Sequence, residues 1–542
     1  MKYPDMKYVD RYTSSTQVKF GGLDCTEGAG DGKICRMENM TSDHYPVLAT
    51  REKRWRIRRL EKPGGIVALE KLGWVDGAGF YYDGLLRGQV TEGEKTFGVI
   101  GTKIIILPDK CFYDTETGEF GSLESRWEGN SLTFGNGKLY EEAADANMIR
   151  CEGVRWEDYF REGDAVSITG CTIHPENNIT PIIRGIDGDK LYFYENIFTL
   201  NGASGLTEYT ETGNLRVERT VPDLKMVCET DGRLWGCDDR TIYASKPGDI
   251  FNWNVFDGLE SDSWAVEPEA AGKLVGCFAY KGFAQFFKEE HIYKVYGSLP
   301  SNFQVMGSAT LGIADGSGRS LAIAGETLFW LGRNGIIAYT GGIPASIGQV
   351  FGTRRFRSAV GGSDGMKYYV SMEDGDEGWG LYVYDTRSNL WHREDSTHVT
   401  HFARCAGQLY MLTASGEIWL MGNIQQVPEG AEEENDFSWE AEFAPFVEKS
   451  PNKKGVGKLL LRLDMEEGTE AEVWMKFDSQ GPWKHVWTMA CEEGRRTYTL
   501  PIIPRRADHY QIRIQGRGAC QLHSMTREYY KGSEYRSTGR RN

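Results

Sequence analysis

The chain has 542 residues, 40% hydrophobic and 12% aromatic, with 66 glycines against 17 prolines and a formal charge of −16. That length exceeds one ordinary core, and the composition is that of a folded, turn-rich chain rather than a disordered or fibrous one. The acidic balance excludes a protein that grips nucleic acid with its whole surface, because counterion-release binding needs clustered lysine and arginine.

The opening MKYPDMKYVDRYTSS lacks the apolar core of a signal peptide, and no stretch is long and apolar enough for a spanning helix. A soluble chain made in a cytoplasm, with no membrane anchor, is expected. The 11 cysteines are scattered singly with no C-x-x-C pair, which suits reduced thiols better than a disulfide framework or a zinc ribbon.

Residues 1–60 form an N-terminal arm with edge strands, too poor in apolar mass for a domain of its own. It is expected to lie along a blade of this chain or along a neighbouring subunit. The strongest charge feature, REKRWRIRRLEK at 51–62, straddles its end. Read as a strand, period-two alternation sends Arg54, Arg56 and Arg58 to one face. Such a row is a candidate subunit-interface or DNA-facing basic strand; read structurally, it is a charged edge that discourages aggregation.

Residues 61–120 carry two hairpins, LGWVDGAGFYYDG at 72–84 and TKIIILPDKCFYDT at 102–115. Residues 121–223 break the series with three alternating apolar stretches separated by Gly-Asp turns, read as an inserted small β-barrel domain. The hairpins resume over 224–425: DGRLWGCDDRTIYAS, GFAQFFKEEHIYKV, ETLFWLGRNGIIAY, MKYYVSMEDGDEGWGLYVYDT and GQLYMLTASGEIWL. Their second-strand markers Ile242, Ile292, Ile336, Leu381 and Ile418 recur every 37 to 50 residues. This period is that of a β-propeller, whose four-stranded blades bury their faces on one another.

Residues 426–437 read as an exposed acidic linker, 438–533 as a C-terminal β-sandwich of alternating strands such as AEVWMKFDS and YQIRIQ, and 534–542 as a flexible tail. The fold class is all-β: a six- or seven-bladed propeller interrupted by the barrel and followed by the sandwich.

Chemistry is sparse. His392, His398 and His401 offer an H-x-x-H spacing without a third ligand, and read as strand or surface histidines. The acidic runs at 373–377 and 430–436 lie in a hairpin turn and in the linker, where solvated loops are the simpler reading than a general-acid/base pair. Asp238 and Asp239 read as turn residues. No G-x-S-x-G, P-loop, H-E-x-x-H or EF-hand pattern occurs. No enzyme activity, catalytic residue, metal or cofactor is expected.

The phrases QVKFGGLDCTEGAGDGKICRMENMTSDHYPVLATR, DGRLWGCDDRTIYASKPGDIFNWNVF, FFKEEHIYKVYGSLPSNFQV and TLPIIPRRADHYQIRI span nearly the whole chain. With the propeller, insertion and sandwich in this order, the sequence resembles the stabilisation or tail nozzle proteins of short-tailed phages. The resemblance implies a virion tail protein assembled in the bacterial cytoplasm. It also implies a ring, expected to be hexameric, below the adaptor and portal ring. Tail fibre or tail needle proteins would be neighbours, and genomic DNA would be retained and later pass through the lumen without sequence recognition. The competing reading is a glycan-binding or glycan-cleaving propeller, to which the aromatic content lends appeal. The sialidase-type Ser-x-Asp-x-Gly turn is absent; DSQGPW at 478–483 has only some of its letters.

Overall fold

The computed structural model describes residues 12–139, 145–194, 196–200, 208–256, 262–450, 452–478, 481–491 and 496–531. The tail expected at 534–542 lies outside them. The chain divides into two units: Glu61–Ala314, and a second that combines Met1–Leu60 with Asp315–Asn542.

The first unit holds four antiparallel sheets of four strands, each with its strands in chain order: Pro63–Ala68 to Leu85–Gln89, Thr96–Ile100 to Phe120–Ser122, Met226–Thr230 to Trp264–Val266, and Gly276–Tyr280 to Gln304–Ala309. This up-and-down order is that of propeller blades. Their turns follow from local chemistry. Asp231-Gly232 and Lys281-Gly282 each carry two consecutive positive φ angles, 54° and 68° in the first pair, 50° and 74° in the second. The two-residue hairpins that join first strand to second in the third and fourth blades require that conformation.

Within this unit consecutive blades stack through apolar faces. Val75 and Phe80 pack with Ile104 and Ile106 between the first and second blades. Ile105 and Phe112 pack with Leu224 and Leu234 between the second and third. Trp235 and Ile242 meet Ala284, Phe286 and Tyr293 between the third and fourth. Burying a side chain of this size contributes about 1.5–3 kcal/mol.

The inserted domain is a six-stranded sheet ordered Ser167–Thr169, Glu208–Arg219, Ser125–Gly137, Ala146–Arg150, Lys190–Phe193, Ile183–Asp187. Its two edges meet through an Ala165–Ile182 bridge and through N–H bonds from Val166 to the Pro181 carbonyl (3.0 Å) and from Ile168 to the Ile179 carbonyl (2.8 Å). The sheet is thereby curled into a small barrel around Trp127, Phe134, Ile149, Trp156 and Val217. Buried polar groups seat it on the third blade. Asp164 is ion-paired with Arg219, and the Asn252 amide oxygen accepts the Ala165 N–H at 2.8 Å. Arg219 and Arg161 lie over the Phe251 ring at 4.7 and 4.9 Å.

The second unit holds three further blades. Two are Ala322–Ala324 to Ala345–Ser346 and Phe356–Ser363 to Leu390–Arg393, joined by Phe329 stacked on Tyr368 at 5.1 Å. The last takes three strands from Val399–Cys405, Gln408–Thr413 and Glu417–Met421, and its fourth from Trp55–Arg59 of the arm, with Arg59 opposite Glu417 and Trp55 opposite Leu420. Seven sheets of propeller type are therefore present among the described residues. The markers Ile242, Ile336, Leu381 and Ile418 are fully inaccessible and Ile292 is buried.

The sandwich is built by both ends of the chain. One sheet runs Ile34–Glu38, Ser438–Phe443, Tyr510–Arg517, Glu470–Phe477, Lys484–Ala490. The other runs Met40–Thr41, Leu48–Thr50, Cys520–Lys531, Lys454–Met465, Arg496–Pro501, and Thr13–Gln17 also pairs with Cys520–Lys531. Met40, Leu48, Leu463 and Leu522 of one sheet face Trp439, Ala441 and Ile514 of the other across a small apolar gap. The arm thus lies along elements of its own chain, four of its strands in the sandwich and one in the last blade.

Candidate functional site

The basic stretch sits where the arm leaves the sandwich and enters the last blade. Arg51 is buried and directs both terminal nitrogens at Glu434, at 2.7 and 2.9 Å, while its Nε donates to the Asn39 amide oxygen at 2.7 Å. Phe437 covers the same guanidinium at 4.0 Å. Arg54, also buried, donates to Glu394 at 2.6 Å and to Asp395 at 2.7 Å. Its backbone N–H bonds to Glu434 at 3.0 Å, and its carbonyl accepts the Glu434 N–H at 2.9 Å.

Two guanidinium groups therefore face three carboxylates from chain segments far apart in sequence. Burial alone would raise the Asp395 carboxyl, but Arg54, the Thr397 hydroxyl and Arg51 outweigh it and hold it at about 2. Glu434 is likewise lowered against its burial by the hydrogen bond and charge of Arg51. Arg54 is raised: its burial disfavours the cation, and the charges of Asp395, Glu394 and Glu434 more than offset that. Asn39 completes the junction. It donates its side-chain amide to the Ser438 carbonyl at 2.8 Å and its backbone N–H to the Glu394 carbonyl, from a left-handed conformation of φ 54°.

This arrangement corrects the expected row of arginines. Arg54 precedes the strand and is internal, Arg56 pairs with Glu417 at 3.2 Å and with Glu432, and Arg58 is exposed. A register shift between Ile418 and Trp419, opposite Arg58 and Arg56, also interrupts the alternation on which the row depended. The acidic linker is largely exposed, as expected, but it is tied down rather than free. Glu432–Glu433 add a short strand beside Trp55–Arg59, and Lys53 pairs with Asp436 at 2.7 Å and with Glu433 at 3.7 Å. The acidic and basic runs, each conspicuous alone, neutralise each other.

Beside the clasp lies a cleft of about 1090 Å³. Its lining includes Glu52, Glu433, Asp436, Asp464, Glu466 and Glu467 against Arg51, Lys53 and Arg517, a balance that disfavours a phosphate ligand.

The other sequence candidates do not converge on one place. His392 is buried in the sixth blade, and its pKa is lowered to about 4 by burial and by the neighbouring Lys367 cation. His398 stacks on Trp379 at 3.5 Å, and His401 is buried on strand Val399–Cys405. Among the described residues, only Asp478, Asp508 and His509 bring three potential ligand atoms within 4.8 Å of one another. In the run 373–377, Glu373 is held by Arg357 at 2.8 Å and Glu377 by Arg354 at 2.8 Å. Asp238 accepts the Arg240 and Thr241 N–H groups at 2.7 and 2.6 Å, and Asp239 pairs with Lys225 at 2.6 Å, which is turn chemistry.

Sequence reasoning passed over Asn39, Glu394 and Asp395. The one available signal was the opposite sign of the short charged runs REKR at 51–54 and EEEND at 432–436.

Among the described residues no helix is long and apolar enough to cross a membrane. No family model and no curated protein matches the chain. Three solved structures illustrate the range of its likeness. BamB from Moraxella catarrhalis is similar at 12% identity over 70% of this chain and 99% of its own, with a TM-score of 0.32. Chaetomium thermophilum Raptor is similar at 14% identity over 69% and 29%, with a TM-score of 0.31. An exo-beta-1,3-galactanase from Phanerochaete chrysosporium is similar at 9% identity over 56% and 94%, with a TM-score of 0.22. None of the three is a phage tail protein, and likeness this distant carries no functional argument. The chain is an all-β propeller protein on the strength of its own seven sheets.

Proposed function

We propose that the protein is a structural component of a short-tailed phage tail, of the nozzle or stabilisation type, which assembles into a ring below the adaptor and retains the packaged DNA. The observation that carries this reading is the domain order. Two blades precede the barrel, five follow it, and a sandwich built from both chain ends comes last, as the resemblance implies. The clasp supports it, since buried ion pairs binding the arm within its own chain suit a rigid part better than a mobile one. Exposed apolar side chains on outer blade strands, Leu85 and Leu86 in the first blade and Met306 in the fourth, supply surface for subunit contacts. A net charge of −16 lets duplex DNA slide past rather than adhere.

The test is negative-stain imaging of the purified protein with its adaptor and portal rings. A closed ring with a lumen wider than a DNA duplex is expected. A chain that stays monomeric beside those partners overturns the proposal.

A further inference from the structure

We infer that Cys228 and Cys277 are a modification site: a dithiol that closes to a disulfide and cross-links the third blade to the fourth. Cys228 lies on Met226–Thr230 and Cys277 on Gly276–Tyr280, the first strands of consecutive blades. The Cys277 thiol points at the Cys228 sulfur across 3.1 Å. A covalent S–S bond is about 2.05 Å, so roughly 1 Å of approach separates the reduced pair from the bonded one.

The strands that carry the pair are held on both sides. Met226↔Cys237 and Gly276↔Phe287 pairing fixes each against its own second strand. The shared core of Trp235, Ala284 and Phe286 fixes the two blades against each other. None of the eleven cysteines is in a disulfide, so both sulfurs of this pair stand as thiols.

The two thiols have different parts to play. Cys228 is partly exposed and is the one an external oxidant reaches. Cys277 is buried, and burial together with the adjoining Cys228 pushes its pKa up. With a small-molecule disulfide such as oxidised glutathione, the Cys228 thiolate attacks one sulfur and expels one glutathione thiolate, leaving a mixed disulfide. Cys277 then gives up its proton, attacks the Cys228 sulfur and expels the second glutathione. Two protein thiols are oxidised, one glutathione disulfide is reduced to two thiols, and no other reactant is needed. In a reducing cytoplasm the pair stays open; outside it the bond forms.

The test uses the full-length protein incubated with oxidised glutathione, alkylated, digested without reductant and mapped by mass spectrometry. The expected result is a linked peptide joining Cys228 to Cys277, a loss of two titratable thiols from the eleven, and reversal by dithiothreitol. Cys228→Ser and Cys277→Ser should each abolish the thiol loss, while Cys111→Ser keeps it. Mapping of the unmodified sequence decides the matter even if a variant folds poorly. Eleven thiols remaining, a mixed disulfide that persists at Cys228, or a different linked pair overturns the inference.

Discussion

Arg51 and Glu434 stand 383 residues apart in the chain and meet in a two-pronged ion pair at 2.7 and 2.9 Å. The same carboxylate accepts the backbone N–H of Arg54, so one acidic side chain fixes the point at which the arm turns from sandwich to propeller. A pair this buried is costly to break by halves, because the group left behind keeps its charge and loses its partner.

Replacing Arg54 by Met therefore leaves Glu394 and Asp395 facing each other with much less compensation. We expect a loss of about 3–5 kcal/mol, read as a lower urea midpoint with an unchanged slope. A loss below about 1 kcal/mol would show that the clasp is solvated and contributes little.

Acid should weaken the same junction. Asp395 is held at about 2, below the ordinary aspartate value of about 3.9, so the unfolded chain takes up the proton first. Its stabilisation is complete above about pH 4 and disappears as pH falls through 2, amounting to roughly 2 kcal/mol. Asp395→Asn should flatten that part of the stability–pH curve, and an unaltered slope in the variant would count against the assignment.

His392 sets a second window, higher on the pH scale. Its folded pKa of about 4 lies below the unfolded value of about 6.5, so the neutral ring is the form the fold retains. The contribution is fully present above about pH 6.5 and is lost as pH falls towards 4, by about 3 kcal/mol. His392→Gln should remove the dependence, as followed by thermal unfolding across that range.

Ile242 tests the propeller register. It is fully inaccessible in the contact between third and fourth blades. Ile242→Asp buries an unpaired carboxylate and should cost several kcal/mol, whereas Ile242→Val should cost about 0.5–1.5 kcal/mol. Equal tolerance of both substitutions would contradict the blade packing.

The repeating hairpins were legible because each blade solves the same problem with the same means. An X-Gly turn at Asp231-Gly232, Lys281-Gly282 or Ala406-Gly407, an apolar strand, and then a strand that opens around a buried Ile242, Ile292 or Ile418 leave a periodic trace in sequence. The barrel and the sandwich were legible from alternation, as in Glu470–Phe477, where Ala471, Val473 and Met475 are inaccessible. The pairing of Trp55–Arg59 with Glu417–Met421 left no such trace, since it joins segments about 360 residues apart and depends on neither period. The same distance concealed the meaning of the charges. Arg54 and Glu434 each look like surface residues until the fold places them together and removes the water between them.

The last blade takes its fourth strand from residues 55–59, made before any other part of it, and the sandwich takes strands from both 13–50 and 438–531. On the ribosome these early segments must wait for partners that emerge hundreds of residues later, while the sheets of 61–314 have every strand they need once their own stretch has emerged. Synthesis and folding thus run in different orders in the two units, and the arm is made before its partners and is among the last parts secured.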